Sequence, residues 1–293
     1  MAQILLTGAS GLLGQHLLPL LGTGHEVTSV GRLVERPGGQ SVSLDFSRPW
    51  TSEALPDRID VVVHLAQSAR YRDFPGGAGD VFAVNLASTM QLLEYARAAR
   101  ASRFILASTG GIYRADSSPI TEDSELLGPS ELGHYFATKL AAEMIAGNFR
   151  QFMDVHVLRI FFMYGPGQRK EMFLPSLIQR IRSGEPVRLS GENGIHLNPI
   201  HAHDAARAVV ELAQSGGPKT LNLGGPQTVT IREIADMIGN FLGVPPSFVH
   251  TDEMRDLVAN TDALRHLISS YQFDFTRGLT DLFSRDLADK SVE

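Results

Sequence analysis

The chain has no cysteine among its 293 residues, so disulfides and thiolate metal sites are excluded, and a reducing compartment, the cytoplasm, is the expected setting. It also lacks long apolar runs. The longest, "LLPLL" and "VVVHLA", fall well short of the roughly 20 residues that a membrane-spanning helix needs. The first ten residues, "MAQILLTGAS", enter a strand-like run without the basic region and apolar stretch of a secretory signal. A net charge of -6 leaves no basic excess for a nucleic-acid footprint. Lysine is scarce as well: only Lys139, Lys170, Lys219 and Lys290 occur. There is no internal repeat and no low-complexity tract.

What is present is a 43% hydrophobic composition, ample for a full core. In the first half, the runs "QILLT", "HEVTSV", "DVVVHLA", "RFILAST" and "VHVLRIFF" alternate with helical segments such as "NLASTMQLLEYARAAR". Strands buried on both faces read as continuous apolar runs, and their alternation with helices implies right-handed crossovers. The expected class is therefore α/β, a doubly wound parallel sheet of Rossmann type. Beyond about Gly165 the pattern turns to helices broken by Gly and Pro turns. This predicts a dinucleotide-binding domain over 1–165, with return segments near 200–225, and a smaller, mostly helical, discontinuous substrate-binding lobe within 166–293.

After the first strand comes "TGASGLLG", with Gly8, Gly11 and Gly14 spaced by three. In a strand-to-helix turn these glycines allow the bend, the approach of a pyrophosphate and close helix packing, and the helix N-terminus faces the phosphates. Ser10, Leu12 and Leu13 complete the expected cofactor turn. Pro19 falls late in the following helix and is expected to distort it. The second strand ends in Gly31 and Arg32, where a carboxylate would select NAD and an arginine suits the 2′-phosphate of NADP. NADP is the expected cofactor, with NAD left open through Glu35.

"GHYFATKLAAE" places Tyr135 four residues before Lys139, on one helical face. An ammonium beside the phenol, with the positive nicotinamide ring, favours its ionised form, so that it can act as a general acid or base. "RFILAST" brings Ser108 and Thr109 to the carboxyl end of the sheet, where ligands of doubly wound folds bind.

With these motifs in order, together with "LDF", "HLAQSA", "ILASTGGIY", "LRIFFMYGPGQ", "HLNPIHAHDAARA" and "LNLGGPQTVTIREIADMIG", the chain resembles the extended short-chain dehydrogenase/reductase superfamily, in its NAD(P)-dependent sugar epimerase/dehydratase branch. The likeness runs over nearly the whole chain. It implies that Thr109 polarises the substrate, that Tyr135 is the acid/base, and that Lys139 tunes the tyrosine and binds the nicotinamide ribose. It further implies Asp45 and Phe46 beside the adenine, and Leu65, Ala66 and Gln67 along the cofactor cleft. Asn85 corresponds to a family asparagine, read equally as a buried structural amide. Homodimers paired through the two helices that contain Leu92 and Lys139 are also implied.

Three departures narrow the expectation. Gly110 and Gly111 follow Thr109 where family dehydratases carry acidic residues, which argues against a 4,6-dehydratase. Phe162 and Leu197 stand at substrate-contact positions where sugar-nucleotide enzymes carry asparagine and arginine. Either Arg169 and its basic neighbours replace those donors at a diphosphate, or the substrate carries no nucleotide. In "HAHD", Asp204 is expected to cap a helix, with no metal bound at His201 and His203. His64 is read as a core histidine and Tyr164 as a hinge residue. The expected activity is hydride transfer at a carbinol/carbonyl carbon of a nucleotide-linked sugar, by an epimerase or a ketoreductase. An NADPH-dependent reductase of another carbonyl substrate and a non-catalytic dinucleotide sensor remain the alternatives.

Overall fold

In the computed structural model, described for residues 1–32, 40–114, 119–217, 219–252 and 256–290, with side chains through 284, the chain divides into two compact units. The first comprises 1–114, 125–160 and 206–221. Its elements run β1 (Gln3–Thr7), α1 (Leu12–Gly22), β2 (Glu26–Gly31), β3 (Gln40–Ser43), β4 (Val61–His64), α2 (Ala78–Phe82), a π turn (Ala83–Ala87), α3 (Ser88–Ala98), β5 (Arg103–Thr109), a 3-10 turn (Gly110–Ile112), α4 (His134–Asn148) and β6 (Asp154–Ile160). The second comprises 115–124, 161–205 and 222–293. From residue 161 onward the chain continues as β7 (Met163–Tyr164), α5 (Phe173–Arg182), β8 (Val187–Ser190), β9 (His196–Leu197), β10 (Ile200–His201), α6 (Ala202–Gln214), β11 (Thr220–Leu223), β12 (Val229–Thr230), α7 (Ile231–Leu242), β13 (Phe248–Thr251), α8 (Asp262–Ile268) and α9 (Phe275–Lys290).

The main sheet has the order β11-β6-β5-β4-β1-β2-β3. The pairings of β1 with β2 and β4, of β2 with β3, and of β5 with β4 and β6 are all parallel. The order reverses at β1, so the crevice at the carboxyl ends of β1 and β4 is the switch point where such sheets bind ligands. The strands form because both faces are covered. All of β4, "VVVH", is buried, and Leu5, Val62 and Phe104 pack with Leu92 and Leu93 of α3. Each such side chain contributes about 1.5–3 kcal/mol. Helix α1 runs on through Pro19 to Gly22, so the expected distortion does not end it.

In the second unit, Leu174, Leu177, Ile178 and Ile181 recur at helical spacing on α5 and form a core with Ile234, Ala235 and Ile238 of α7. Helix α7 carries its own start and stop signals. The Thr230 hydroxyl accepts the Glu233 N–H at 3.1 Å, the Glu233 carboxylate accepts the Thr230 N–H at 2.7 Å, and Gly243 ends the helix at φ +67°. Thr230→Ala is expected to lower stability by about 0.5–2 kcal/mol in urea unfolding, because Glu233 loses its reciprocal partner. Among the described residues no helix is long and apolar enough to cross a membrane.

Candidate active site

The site of the first unit begins at the turn between β1 and α1. Gly8 has φ +72°, a left-handed conformation that a side chain disfavours, and a Cβ there would stand 2.7 Å from the backbone of Leu65 and Ala66. At Gly14 a Cβ would lie 2.6 Å from Ala9 Cα. Gly11 is the N-cap of α1, and neither a side-chain cap nor an acidic residue occupies the first turn. Ser10 is exposed, Leu12 is half-buried and Leu13 is buried. The glycines let the turn fold tightly against the end of β4 and against itself, and the first turn of α1, with no side-chain cap, fits a dinucleotide pyrophosphate.

The next strand end is tied to this turn through His64. The Thr89 hydroxyl donates to the Asn85 carbonyl at 2.7 Å, so it accepts the His64 Nε2–H at 3.0 Å. His64 Nδ1 then accepts from the Thr7 hydroxyl at 2.7 Å, and the Thr7 oxygen accepts the Ala66 N–H at 3.1 Å. Burial, with the charge of Lys139 adding to it, pushes the His64 imidazole down to about 3, so the ring is neutral in this chain of bonds. The consequence is a fixed position for Leu65, Ala66 and Gln67.

At the end of β2, Arg32 is exposed, and Glu35 lies outside the described residues. Asp45 accepts the hydroxyl and N–H of Ser47 at 2.7 and 3.0 Å. These bonds, with the nearby Arg32 and Arg48, hold its carboxyl below the usual range. Phe46 is buried, edge-on to Trp50 and His64.

Helix α4 packs against β5 and delivers the phenol and the amine. Tyr135 donates to Gln67 Oε1 at 2.9 Å, and its ring contacts those of Tyr71 and Phe136, with centroids 5.1 and 5.3 Å away. Lys139 is 3% exposed and donates to the Ala107 carbonyl at 3.0 Å. Burial pushes this amine down to about 8, opposed by the negative charge of Glu143. The phenol is pushed up, by burial and then by Tyr71. Within the chain alone, without the positive nicotinamide that the expectation also invoked, desolvation dominates at the phenol.

The two hydroxyls at the end of β5 differ in what they have left to give. Ser108 is buried and donates to Glu143. The Thr109 oxygen accepts the Gly111 N–H at 3.1 Å, and among the described residues its own proton has no acceptor, so it can donate to a substrate oxygen. A Cβ at Gly111 would stand 2.6 Å from Phe136 Cζ, so an acidic side chain cannot follow Thr109 there without displacing that ring. Asn85, in the π turn, accepts the Ser68 N–H at 3.0 Å and donates to the Thr138 hydroxyl at 3.3 Å. It thereby ties the loop after β4 to α4.

Two features of this unit carried no expectation from sequence. Arg159 and Glu143 form a buried ion pair at 2.7 Å, with side chains 10% and 8% exposed. Tyr71 packs against Tyr135. The first had a signal in retrospect: Glu143 continues the Tyr135 and Lys139 face by another four residues.

The second unit holds the remaining expected residues. Phe162 packs edge-on to Phe173 at 6.0 Å, and Arg169 is exposed. Leu197 is fully buried in β9, paired with Val229; its place is in the core and not at a substrate surface. Asp204 sits within the first turn of α6, fully buried, accepting the N–H groups of Gln272 and Phe273 at 2.9 and 3.0 Å. Tyr164 is likewise a core residue, against Phe275 and His201, and donates to the Asp274 carbonyl at 3.3 Å. His201 stacks on Phe273 at 4.0 Å. Among the described residues no group of three or more His, Asp or Glu side chains could hold a metal ion.

Known proteins share this architecture. The sequence model of the NAD dependent epimerase/dehydratase family matches residues 4–224. The UDP-glucuronate 4-epimerase of Thermodesulfobacterium geofontis is 29% identical over 188 residues, which is 63% of this chain and only 58% of that protein's length. The dTDP-glucose 4,6-dehydratase of an Actinoplanes species is 25% identical over 268 residues, covering 84% of this chain and 83% of the other. Among solved structures, MoeE5 in complex with UDP-glucuronic acid and NAD superposes with a TM-score of 0.83 at 26% identity, over 98% of this chain and 99% of that one. The match spans more than half of the chain and includes the glycine turn, Thr109, Tyr135 and Lys139: this protein belongs to the NAD dependent epimerase/dehydratase family.

Proposed function

We propose that the protein is an NAD(P)-dependent epimerase or ketoreductase acting at a carbinol/carbonyl carbon of a nucleotide-linked sugar, with Thr109, Tyr135 and Lys139 as its catalytic residues. One observation carries the reading. The Tyr135 phenol is hydrogen-bonded to Gln67, the residue after Ala66, whose backbone packs against Gly8 of the phosphate-type turn. An acid/base group is thus bonded to the strand end that borders a dinucleotide cradle.

Gly8, Ser10, Gly11, Leu12, Leu13 and Gly14 would hold the pyrophosphate, Arg32, Asp45 and Phe46 the adenosine end, and Leu65, Ala66 and Gln67 the middle of the cofactor. When bound, the nicotinamide supplies the acceptor and donor of hydride, and in its oxidised form a positive charge. Thr109 donates its uncommitted proton to the substrate oxygen. Tyr135 gives a proton to that oxygen when a carbonyl is reduced and takes one when a carbinol is oxidised, and Lys139 supplies the nearby positive charge that eases the second role.

Phe136 over Gly111 disfavours the dehydratase branch of the chemistry. The relatives bearing epimerase names and the UDP-sugars held by MoeE5 support a nucleotide sugar. The test is incubation with UDP-glucuronic acid or UDP-glucose and substoichiometric NAD and, separately, incubation of a UDP-linked 4-keto sugar with NADH or NADPH. An epimerase converts the sugar without net change in cofactor absorbance, whereas a ketoreductase consumes one reduced cofactor per keto sugar. Failure of both, with tight cofactor binding retained, would leave the reductase of a carbonyl substrate without a nucleotide and the sensor in their place.

The reduced alternative, an NADPH enzyme, is favoured by Arg32 at the end of β2, while MoeE5 holds NAD. Arg32→Ala is expected to raise the Kd for NADPH at least about tenfold with little effect on NADH, since a phosphate loses a charge-assisted partner. Equal effects on both in fluorescence titration would remove the case for the 2′-phosphate.

A homodimer through α3 and α4 and a cytoplasmic location complete the proposal. Phe82 and Met144 expose 51% and 68% of their surface on α2 and α4. Met144→Glu is expected to convert a dimer seen by native mass spectrometry into a monomer. A monomeric wild type at micromolar concentration would refute the dimer.

A further inference from the structure

Lys139 occupies a buried seat, 3% exposed, with its amine on the Ala107 carbonyl. An ammonium in such a place needs a compensating negative charge. Two titratable groups interact with it among the described residues: His64 of β4, which is neutral, and Glu143 of α4. Glu143 is the negative one among them, one helical turn beyond Lys139 on the same face.

This carboxylate is not free to swing. Arg159 Nη2 donates to Glu143 Oε2 at 2.7 Å, Arg159 Nε donates to both oxygens at 3.2 Å, and Ser108 donates to Oε1. Arg159 is held in turn by Tyr113, whose hydroxyl accepts from Nη1 at 2.6 Å and whose ring lies 4.8 Å beneath the guanidinium. Ala107 and Ser108, adjacent on β5, therefore receive Lys139 and Glu143 respectively. The strand sets the distance between the two charges.

We propose that Glu143 is a positioning residue for the acid/base step: clamped by Arg159 and Ser108, it is the fixed counter-charge that keeps Lys139 an ammonium in its buried seat beside Tyr135. Its link to turnover rests on the roles given above to Tyr135 and Lys139, but its effect on Lys139 does not need turnover to be seen. A pair that merely welds α4 to β5 and β6 would leave the titration of Lys139 where it is.

The chain's four lysines make the measurement direct. In ligand-free protein labelled with 13Cε-lysine, the Lys139 signal, identified by its loss in Lys139→Met, is expected to titrate near 8. Glu143→Gln should lower that midpoint by at least about one pH unit, with Lys170 and Lys219 unmoved. Glu143→Asp, which keeps the charge, should restore most of it. If Glu143→Gln alone does not fold, Glu143→Gln/Arg159→Met removes both charges together and should still lower the midpoint. A Lys139 midpoint that is the same in the wild type and in every folded variant lacking the Glu143 charge overturns the proposal. In the active enzyme the alkaline limb of kcat/KM should move with the NMR midpoint. An inactive wild type whose Lys139 still follows Glu143 sinks the assigned activity but not the counter-charge; a midpoint indifferent to Glu143 sinks the counter-charge whether or not the enzyme turns over.

Discussion

Tyr135→Phe should lower turnover by roughly 10²–10⁴-fold while leaving the fold and cofactor affinity within about twofold of wild type, the loss expected when a positioned proton donor is deleted. The change removes one oxygen from a partly exposed ring and breaks one hydrogen bond, that to Gln67 at 2.9 Å. Tyr71 and Phe136 still pack on the ring that remains, so little packing is lost. The measurement is initial-rate kinetics at saturating cofactor, with NADH or NADPH binding followed by fluorescence. The deficit should fall on kcat and not on KM, because the phenol acts on the reacting oxygen and not on the bulk of the substrate. Unchanged turnover would strip Tyr135 of its role and point to another proton source. Thr109→Val tests the same geometry from the other side, since it removes the hydroxyl proton that has no acceptor among the described residues.

Much of this site is written locally in the chain. The glycine turn was legible because only glycine meets both of its demands, a left-handed Gly8 and backbone contact at Gly8 and Gly14. The strands were legible because burial on both faces leaves no alternation to confuse with an amphipathic helix. Tyr135 and Lys139 share a face by spacing alone. What could not be read was the direction in which each group spends its hydrogen bonds. Ser108 and Thr109 are equivalent as residue types, yet one is bound to Glu143 and the other keeps its proton. The lysine was expected to act on the phenol, and what the spacing did not show is that burial lowers the amine itself while Glu143 opposes that shift. Asp204 shows the same ambiguity in the second unit. A carboxylate near a helix start suits a cap, and here it binds backbone N–H groups 68 and 69 residues away.

Arg159→Met should destabilise the protein by about 3–5 kcal/mol, the cost of leaving a buried carboxylate without its partner. The pair is 10% and 8% exposed, so solvent offers Glu143 little compensation. Three contacts from the guanidinium to the carboxylate disappear at once, with the bond to Tyr113. Removing both charges is a different experiment. In Glu143→Gln/Arg159→Met neither member of the pair remains to be desolvated, Lys139 can shed its proton, and about half or more of the loss should return, as when buried pairs are replaced by neutral groups of similar volume. Guanidinium unfolding of the wild type, both single variants and the double variant closes the cycle, and the strong non-additivity expected of residues in one network is its readout. Additive single effects would mean that the two side chains contribute separately, through packing alone. In that case the clamp on Glu143 would have to be sought in Ser108, and Ser108→Ala would become the variant that loosens it.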